Sequence, residues 1–229
     1  MIRNHEPMRH LIRFTPFLFK AILLSAFMFA GMALFSFREL AADSQNPLDN
    51  HLPAGEISAS QAVKTYDSIR PSLVENYAKS LLPVTVNYDS WYRYNTAPYV
   101  SRLHGDRLVN DYANSVAQNS RQFEEGGPLP SGAIIAMDSF KIAPSCLPLS
   151  ITADAVEPGP LFVMEKMEPG FNTETGDWRF SMIEPNGTVY GETKGIGHDQ
   201  VQFCADCHKG ASADRDWLFF LPKEYRIRG

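Results

Sequence analysis

"DWRFSMIEPNGTVYGET", residues 177–193, decides the fold class. Its first half is a short, apolar- and aromatic-bearing run of strand length. Asn186-Gly187 then supplies a turn that tolerates positive φ, and a second short run follows, so the stretch reads as a β-hairpin. Two runs upstream have the same texture, "GPLFVMEKM" at 159–167 and "SGAIIAMDSFKI" at 131–142. In the latter, Ile135 and Met137 fall on one face and Ile134 and Ala136 on the other, as alternation along a strand requires. Earlier residues behave differently. Ser60 to Ile69 and Ser72 to Leu82 carry apolar residues three and four apart, which predicts two short helices split by Pro71. "DRLVNDYANSVAQNSRQFEEGG", from Asp106, opens in a way that suits a strand and continues with helical spacing up to Gly126-Gly127. The sum is an α+β fold, with N-terminal helices followed by a mainly antiparallel β-sheet.

The chain has 229 residues. About 55 of them at the start do not resemble a folded domain, and the remaining ~170 suffice for one domain with a sizeable core. Hydrophobic residues make up 44% and charged residues 21%, which argues against disorder. A net charge of −5 leaves no basic footprint, so nucleic acid is excluded as a partner. Arg3, Arg9, Arg13 and Lys20 precede the apolar run "AILLSAFMFAGMALFSF" from Ala21 to Phe37. A positive start before an apolar stretch marks an export signal or a membrane anchor. Phe14–Phe19 extend the run, making residues 14–37 the membrane segment if it is retained. Cleavage after Ala42 would put Leu40 at the minus-three position, where a small residue is wanted, so retention is favoured. The expected organisation is signal or anchor over 1–42, a polar Pro/Gly-bearing linker over 43–57, and a domain over 58–229 outside the cytoplasm, in the periplasm.

"FCADCHKG", residues 203–210, carries the chemistry. Cys204, Cys207 and His208 fit C-x-x-C-H, in which two thiols tether a haem and the adjacent histidine ligates its iron. Two other readings compete. A zinc site would need Cys146 and His198 or His208 to complete four ligands. A redox dithiol would need a βαβ unit around it, and none is apparent. The immediate histidine, the export signal and the surrounding Phe203, Trp217, Phe219 and Phe220 favour haem c. The tether uses two of the three cysteines and leaves Cys146 over. With His208 proximal, the opposite face of the iron decides between a closed electron carrier and an open ligand site. Met137, Met164, Met167 and Met182, with His104 and His198, are the candidates to close it. Core packing is the default for the methionines, and a loop or surface position for the histidines.

"HGDRLVNDYAN", "LPSGAIIAMDSF", "GPLFVMEKMEPGF", "GDWRFSMIEPNGTVYGET" and "FCADCHKG…LFFLP", taken in this order over residues 98–229, resemble the cytochrome P-460 family. The resemblance implies a mainly β, homodimeric, periplasmic protein with one haem c per chain, His208 on one face of the iron and a confined pocket on the other. It further implies a redox partner protein and small ligands such as hydroxylamine, nitric oxide or carbon monoxide. In enzymatic members, which oxidise hydroxylamine, a lysine is cross-linked to the porphyrin. The matching position here holds Met137, whose thioether cannot make that bond. Lys141 keeps the same face but lies roughly 13 Å further along a strand. Arg107 matches a pocket arginine that would hydrogen-bond a ligand, and Glu165 an acidic pocket residue that would handle protons. The alternatives are a surface salt bridge for Arg107 and an exposed strand carboxylate for Glu165. Two further classes stay open: a six-coordinate electron-transfer cytochrome closed by Met137, and a haem-free module with Cys204 and Cys207 as a disulfide or zinc pair.

Overall fold

A capping box opens the first helix, α1 (Ala59–Ala78), in a computed structural model that describes residues 57–118, 127–142 and 155–227. Gln61 N–H donates to Ser58 Oγ at 3.3 Å, and Ser58 N–H donates to Gln61 Oε1 at 3.0 Å. The expected signal or anchor, nearly all of the linker, Cys146 and the helical pattern after Gln118 lie outside the described residues. Among the described residues, no helix is long and apolar enough to cross a membrane.

The predicted break at Pro71 does not occur, and one helix of 20 residues runs through it. Pro71 lies on the exposed face, while Ala62, Tyr66, Ile69, Leu73 and Tyr77 form a buried stripe on both sides of it. An interior proline costs about 3 kcal/mol. Burying Leu73 and Tyr77 beyond the proline returns about 2 kcal/mol each. Tyr77 Oη adds a hydrogen bond to the Gly159 carbonyl at 2.6 Å. Packing therefore outweighs the local penalty. The helix ends at Ala78, short of the expected Leu82.

Among the described residues the sheet has eight strands: β1 (Tyr92–Arg93), β2 (Tyr99–Ser101), β3 (Arg107–Ala113), β4 (Ile134–Ile142), β5 (Val156–Pro158), β6 (Leu161–Lys166), β7 (Trp178–Ile183) and β8 (Val189–Glu192). The order is β1-β3-β4-β6-β7-β8, with β2 also on β3 and β5 also on β4, and every pairing is antiparallel. The α+β expectation holds. The undecided opening of "DRLVNDYAN" is strand β3, followed by the short helix α2 (Ser115–Gln118).

The hairpin between β7 and β8 differs from its prediction in one detail. Positive φ falls on Gly187 (+86°) and not on Asn186. Gly187 N–H donates to Glu184 O, and Glu184 N–H to Thr188 O, both at 2.8 Å. This is a four-residue turn followed by a glycine bulge, the other common way to close a hairpin. A side chain at 187 would also come within 2.5 Å of the Asn76 carbonyl, because the turn packs on the end of α1.

Alternation along the strands divides the core in two. Leu108, Tyr112, Ala136, Phe140, Leu161, Val163 and Ile183 meet the buried stripe of α1. Val109, Ala113, Met164, Trp178 and Phe180 point the other way and pack with Ala205, Leu218, Leu221 and Tyr225 of the C-terminal segment. The helix α3 (Gln202–His208) belongs to that segment, so the sheet carries the cysteine–histidine motif on the face away from α1.

Candidate haem site

On a helix, positions three and four apart share a face. Cys204, Cys207 and His208 in α3 therefore stand together, and all three line one cavity of about 340 Å³. That volume falls within the range of cofactor and ligand pockets. Ala205, on the buried side of α3, anchors the helix in the core. The sheet closes the cavity with Ile135, Met137, Phe162, Met164 and Phe180, and the C-terminal segment with Leu218, Phe219, Phe220 and Leu221. Its walls are overwhelmingly apolar and aromatic, as a porphyrin requires.

The His208 ring is fixed from behind. Its Nδ1 lies 2.7 Å from the Trp217 carbonyl. A carbonyl only accepts, so Nδ1 carries the proton and Nε2 keeps its lone pair. The rings of Phe180 and Phe219 flank it at 5.2 and 5.4 Å. Burial holds His208 below the ordinary imidazole range, opposed by the bond to Trp217. A neutral histidine whose second nitrogen is held by a backbone carbonyl is the arrangement that metal-ligating histidines use.

That carbonyl is itself held in place. Asp216 and Trp217 adopt positive φ, +51° and +58°, a backbone conformation disfavoured for residues other than glycine. Asp216 is buried, with Oδ1 at 2.5 Å from Lys166 Nζ. Its Oδ2 accepts from Leu129 N–H and its carbonyl from Trp178 Nε1–H, both at 2.8 Å. The Trp217 ring lies against Gly176, where even a Cβ would approach to 2.1 Å. A buried ion pair and a glycine in the turn before β7 thus hold the strained turn that orients His208.

Burial, reinforced by Cys207, pushes the Cys204 thiol up to about 12, and burial also raises Cys207. Neither has the depressed pKa of a reactive dithiol. Among the described residues, no group of three or more His, Cys, Asp and Glu is placed to hold a metal ion. His198 is exposed and sits against Asp199 at 2.9 Å.

Arg107 reaches the cavity. Its Nη1 is buried without a hydrogen-bond acceptor, and Glu157 Oε1 is 3.9 Å away. A buried guanidinium nitrogen of this kind is a donor in want of a partner. Met137 also lines the cavity, as do Met164 and Met182. Met167 is not among the lining residues. Glu165 is not brought to the site: it pairs across the strands with Arg179, on the α1 side of the sheet, and is absent from the cavity wall.

Two further polar residues line the cavity, His104, one of the candidates to close the iron, and Asp111, which the sequence reading missed. His104 lines the cavity instead of sitting on a free loop, with Nδ1 at 2.7 Å from Ser101 Oγ and its ring 4.8 Å from Phe162. Asp111 lines it from β3 and accepts from Tyr99 Oη at 2.6 Å. A polar residue in the middle of "RLVNDYA", all of which is at least half-buried, was the signal available for Asp111.

The residues present fit a covalently attached haem: two thiols and a neutral histidine on one helix face, apolar walls, and an arginine whose Nη1 lacks a hydrogen-bond acceptor. Comparison with curated proteins returns no match. The sequence model of one protein family, described as Cytochrome P460, matches residues 86–220, more than half of the chain. The chain belongs to the cytochrome P460 family, whose members bind haem c.

Proposed function

We propose that this protein is a haem c protein that binds or redox-processes small nitrogen-oxide ligands, hydroxylamine and nitric oxide among them. The observation that carries the reading is His208, neutral, buried and fixed through Nδ1 at the wall of an apolar cavity it shares with Cys204 and Cys207. Cys204 and Cys207 would tether one haem per chain, and His208 would ligate its iron through Nε2. When bound, the haem supplies reversible ligand binding and one-electron chemistry at iron. The chain's own part is to exclude water, hold the ligand and orient the histidine. Arg107 is placed to donate from Nη1 to an oxygen or nitrogen atom of the ligand. Glu165 takes no part, since Arg179 already pairs with it on the other face. Met137 stands where enzymatic relatives carry the cross-linking lysine, so no lysine cross-link to the porphyrin would form there.

The N-terminal charge pattern and the family likeness support a periplasmic site of action, free or anchored, with a redox partner protein and a second copy of the chain as partners.

One observation favours a second reading. Met137 shares the cavity with His208, and a thioether closing the iron would make a six-coordinate electron carrier. Absorption spectra of the protein produced with c-haem maturation machinery separate the two. A high-spin spectrum that shifts with carbon monoxide is expected, and Met137→Leu should leave it unaltered. A low-spin spectrum that ignores carbon monoxide, and becomes responsive in Met137→Leu, would replace the first reading with the second. Protein without covalent pigment would remove both.

A further inference from the structure

Every polar group of Asp216 is engaged. Oδ1 meets Lys166 Nζ at 2.5 Å, and Oδ2 accepts from Leu129 N–H at 2.8 Å. The carbonyl accepts from Trp178 Nε1–H at 2.8 Å, and the N–H donates to the Ala213 carbonyl at 3.0 Å. Four separate parts of the chain therefore converge on one residue. Lys166 is 8% exposed and Asp216 1%, and Lys166 Nζ stands 5.0 Å from the centre of the Trp178 ring. Neither member of the pair lines the cavity.

Stability does not account for this pair. Apolar side chains of similar volume commonly serve as well or better, because both charges must leave water. What apolar side chains lack is direction. Asp216 and Trp217 need it, at φ +51° and +58°, since a bulky side chain keeps that conformation only where its surroundings over-determine it.

The effect reaches the histidine through one peptide unit. The Trp217–Leu218 peptide donates from Leu218 N–H to the Arg215 carbonyl at 3.0 Å and accepts from His208 Nδ1–H at 2.7 Å. Hydrogen bonds at both ends of one peptide polarise each other. A firmly held acceptor at Nδ1 raises the basicity of Nε2, and stronger donation from Nε2 favours oxidised over reduced iron.

Building on the haem c reading, we propose that Lys166 and Asp216 are positioning residues that set the reduction potential of the haem by fixing the Trp217 carbonyl on His208. Their charges alone act differently from their placement. Lys166→Met leaves an extra negative charge and Asp216→Asn an extra positive one, and either moves the potential by itself. The double variant Lys166→Met/Asp216→Asn removes the pair without changing net charge, so what it loses is position.

The test uses the haem-loaded full chain and two readouts, the midpoint potential and the proton resonance of His208 Nδ1–H in the ferrous protein under carbon monoxide. In the double variant the equilibrium should shift about tenfold towards the ferrous form, a rise of about 59 mV for one electron. The Nδ1–H resonance should move upfield as its hydrogen bond weakens. Lys166→Arg keeps the charge and a donor and should stay close to the wild type in both. A haem-loaded double variant with wild-type potential and resonance would overturn the proposal and leave the haem reading intact. A wild-type protein that takes up no haem would overturn both. If the double variant fails to fold, Asp216→Asn, which keeps an acceptor for Leu129 N–H, takes its place. Its charge moves the potential in any case, so the Nδ1–H resonance decides: an upfield move is expected, and an unchanged resonance would overturn the proposal.

Discussion

Asp138 and Asp111 lie on neighbouring strands of one sheet and face opposite ways. Asp138, on the α1 side, is fully buried and saturated: Tyr66 Oη at 2.6 Å and Tyr88 Oη at 3.1 Å donate to one oxygen, and Asn110 Nδ2 at 3.2 Å to the other. Tyr112 Oη joins the cluster through Tyr66 at 2.6 Å. Asp111, on the cavity side, accepts from Tyr99 and lines the cavity. Both are buried carboxyls raised by desolvation, to about 6 and about 7. Saturation marks Asp138 as structural, because nothing is left for it to bind. Partial saturation beside a cavity leaves Asp111 with hydrogen-bonding capacity that Asp138 lacks. A buried polar group is informative through the partners it lacks, not through its burial.

The comparison breaks most visibly in stability. Asp138→Leu leaves the Tyr88 hydroxyl and the Asn110 amide buried without that acceptor and Tyr66 with Tyr112 alone, at about 1–3 kcal/mol for each lost partner. A loss of about 4 kcal/mol is expected by urea denaturation at pH 5, against about 1 kcal/mol for Asp111→Leu. Equal losses would erase the distinction.

A pH series sharpens it. Unfolded carboxyls release their protons near the ordinary aspartate value, whereas Asp138 and Asp111 hold theirs to about 6 and about 7. Between those values the folded state binds more protons, so stability is greatest at the acid end and falls as pH rises from about 4 to about 7, by roughly 3 kcal/mol for Asp138 and roughly 4 kcal/mol for Asp111. Asp111→Asn should flatten the upper part of that slope. Exposed Glu174 and Asp214, held low by Lys209 and by Ser212, tilt the other way only below the window.

Lys166→Met tests the support of the histidine. It leaves Asp216 charged and buried, costing about 3 kcal/mol. Because Asp216 precedes Trp217, whose carbonyl holds His208, the haem spectrum should change too. A stability loss with an unaltered spectrum would separate the ion pair from the site.

The smallest effect is expected at the far edge of the α1 layer. Ser58→Ala removes the helix cap and should cost about 1 kcal/mol, with no change in the haem spectrum.

Where local physics decides, the sequence was enough. Short strand runs, a glycine turn and C-x-x-C-H spacing each depend on residues within a few positions of one another. The antiparallel sheet, the hairpin and the grouping of Cys204, Cys207 and His208 followed from these. Tertiary structure decided what depends on distant partners. Pro71 could stay in a helix only because a sheet buries both flanks of it. Alternation says that Met164 and Glu165 face opposite ways, but only the packing of α1 and α3 on the two sides says which of them meets the cavity. Asp111 lines the cavity and Glu165 does not, because a side chain's surroundings are set by what stands across from it. For both, that neighbour comes from a distant part of the chain.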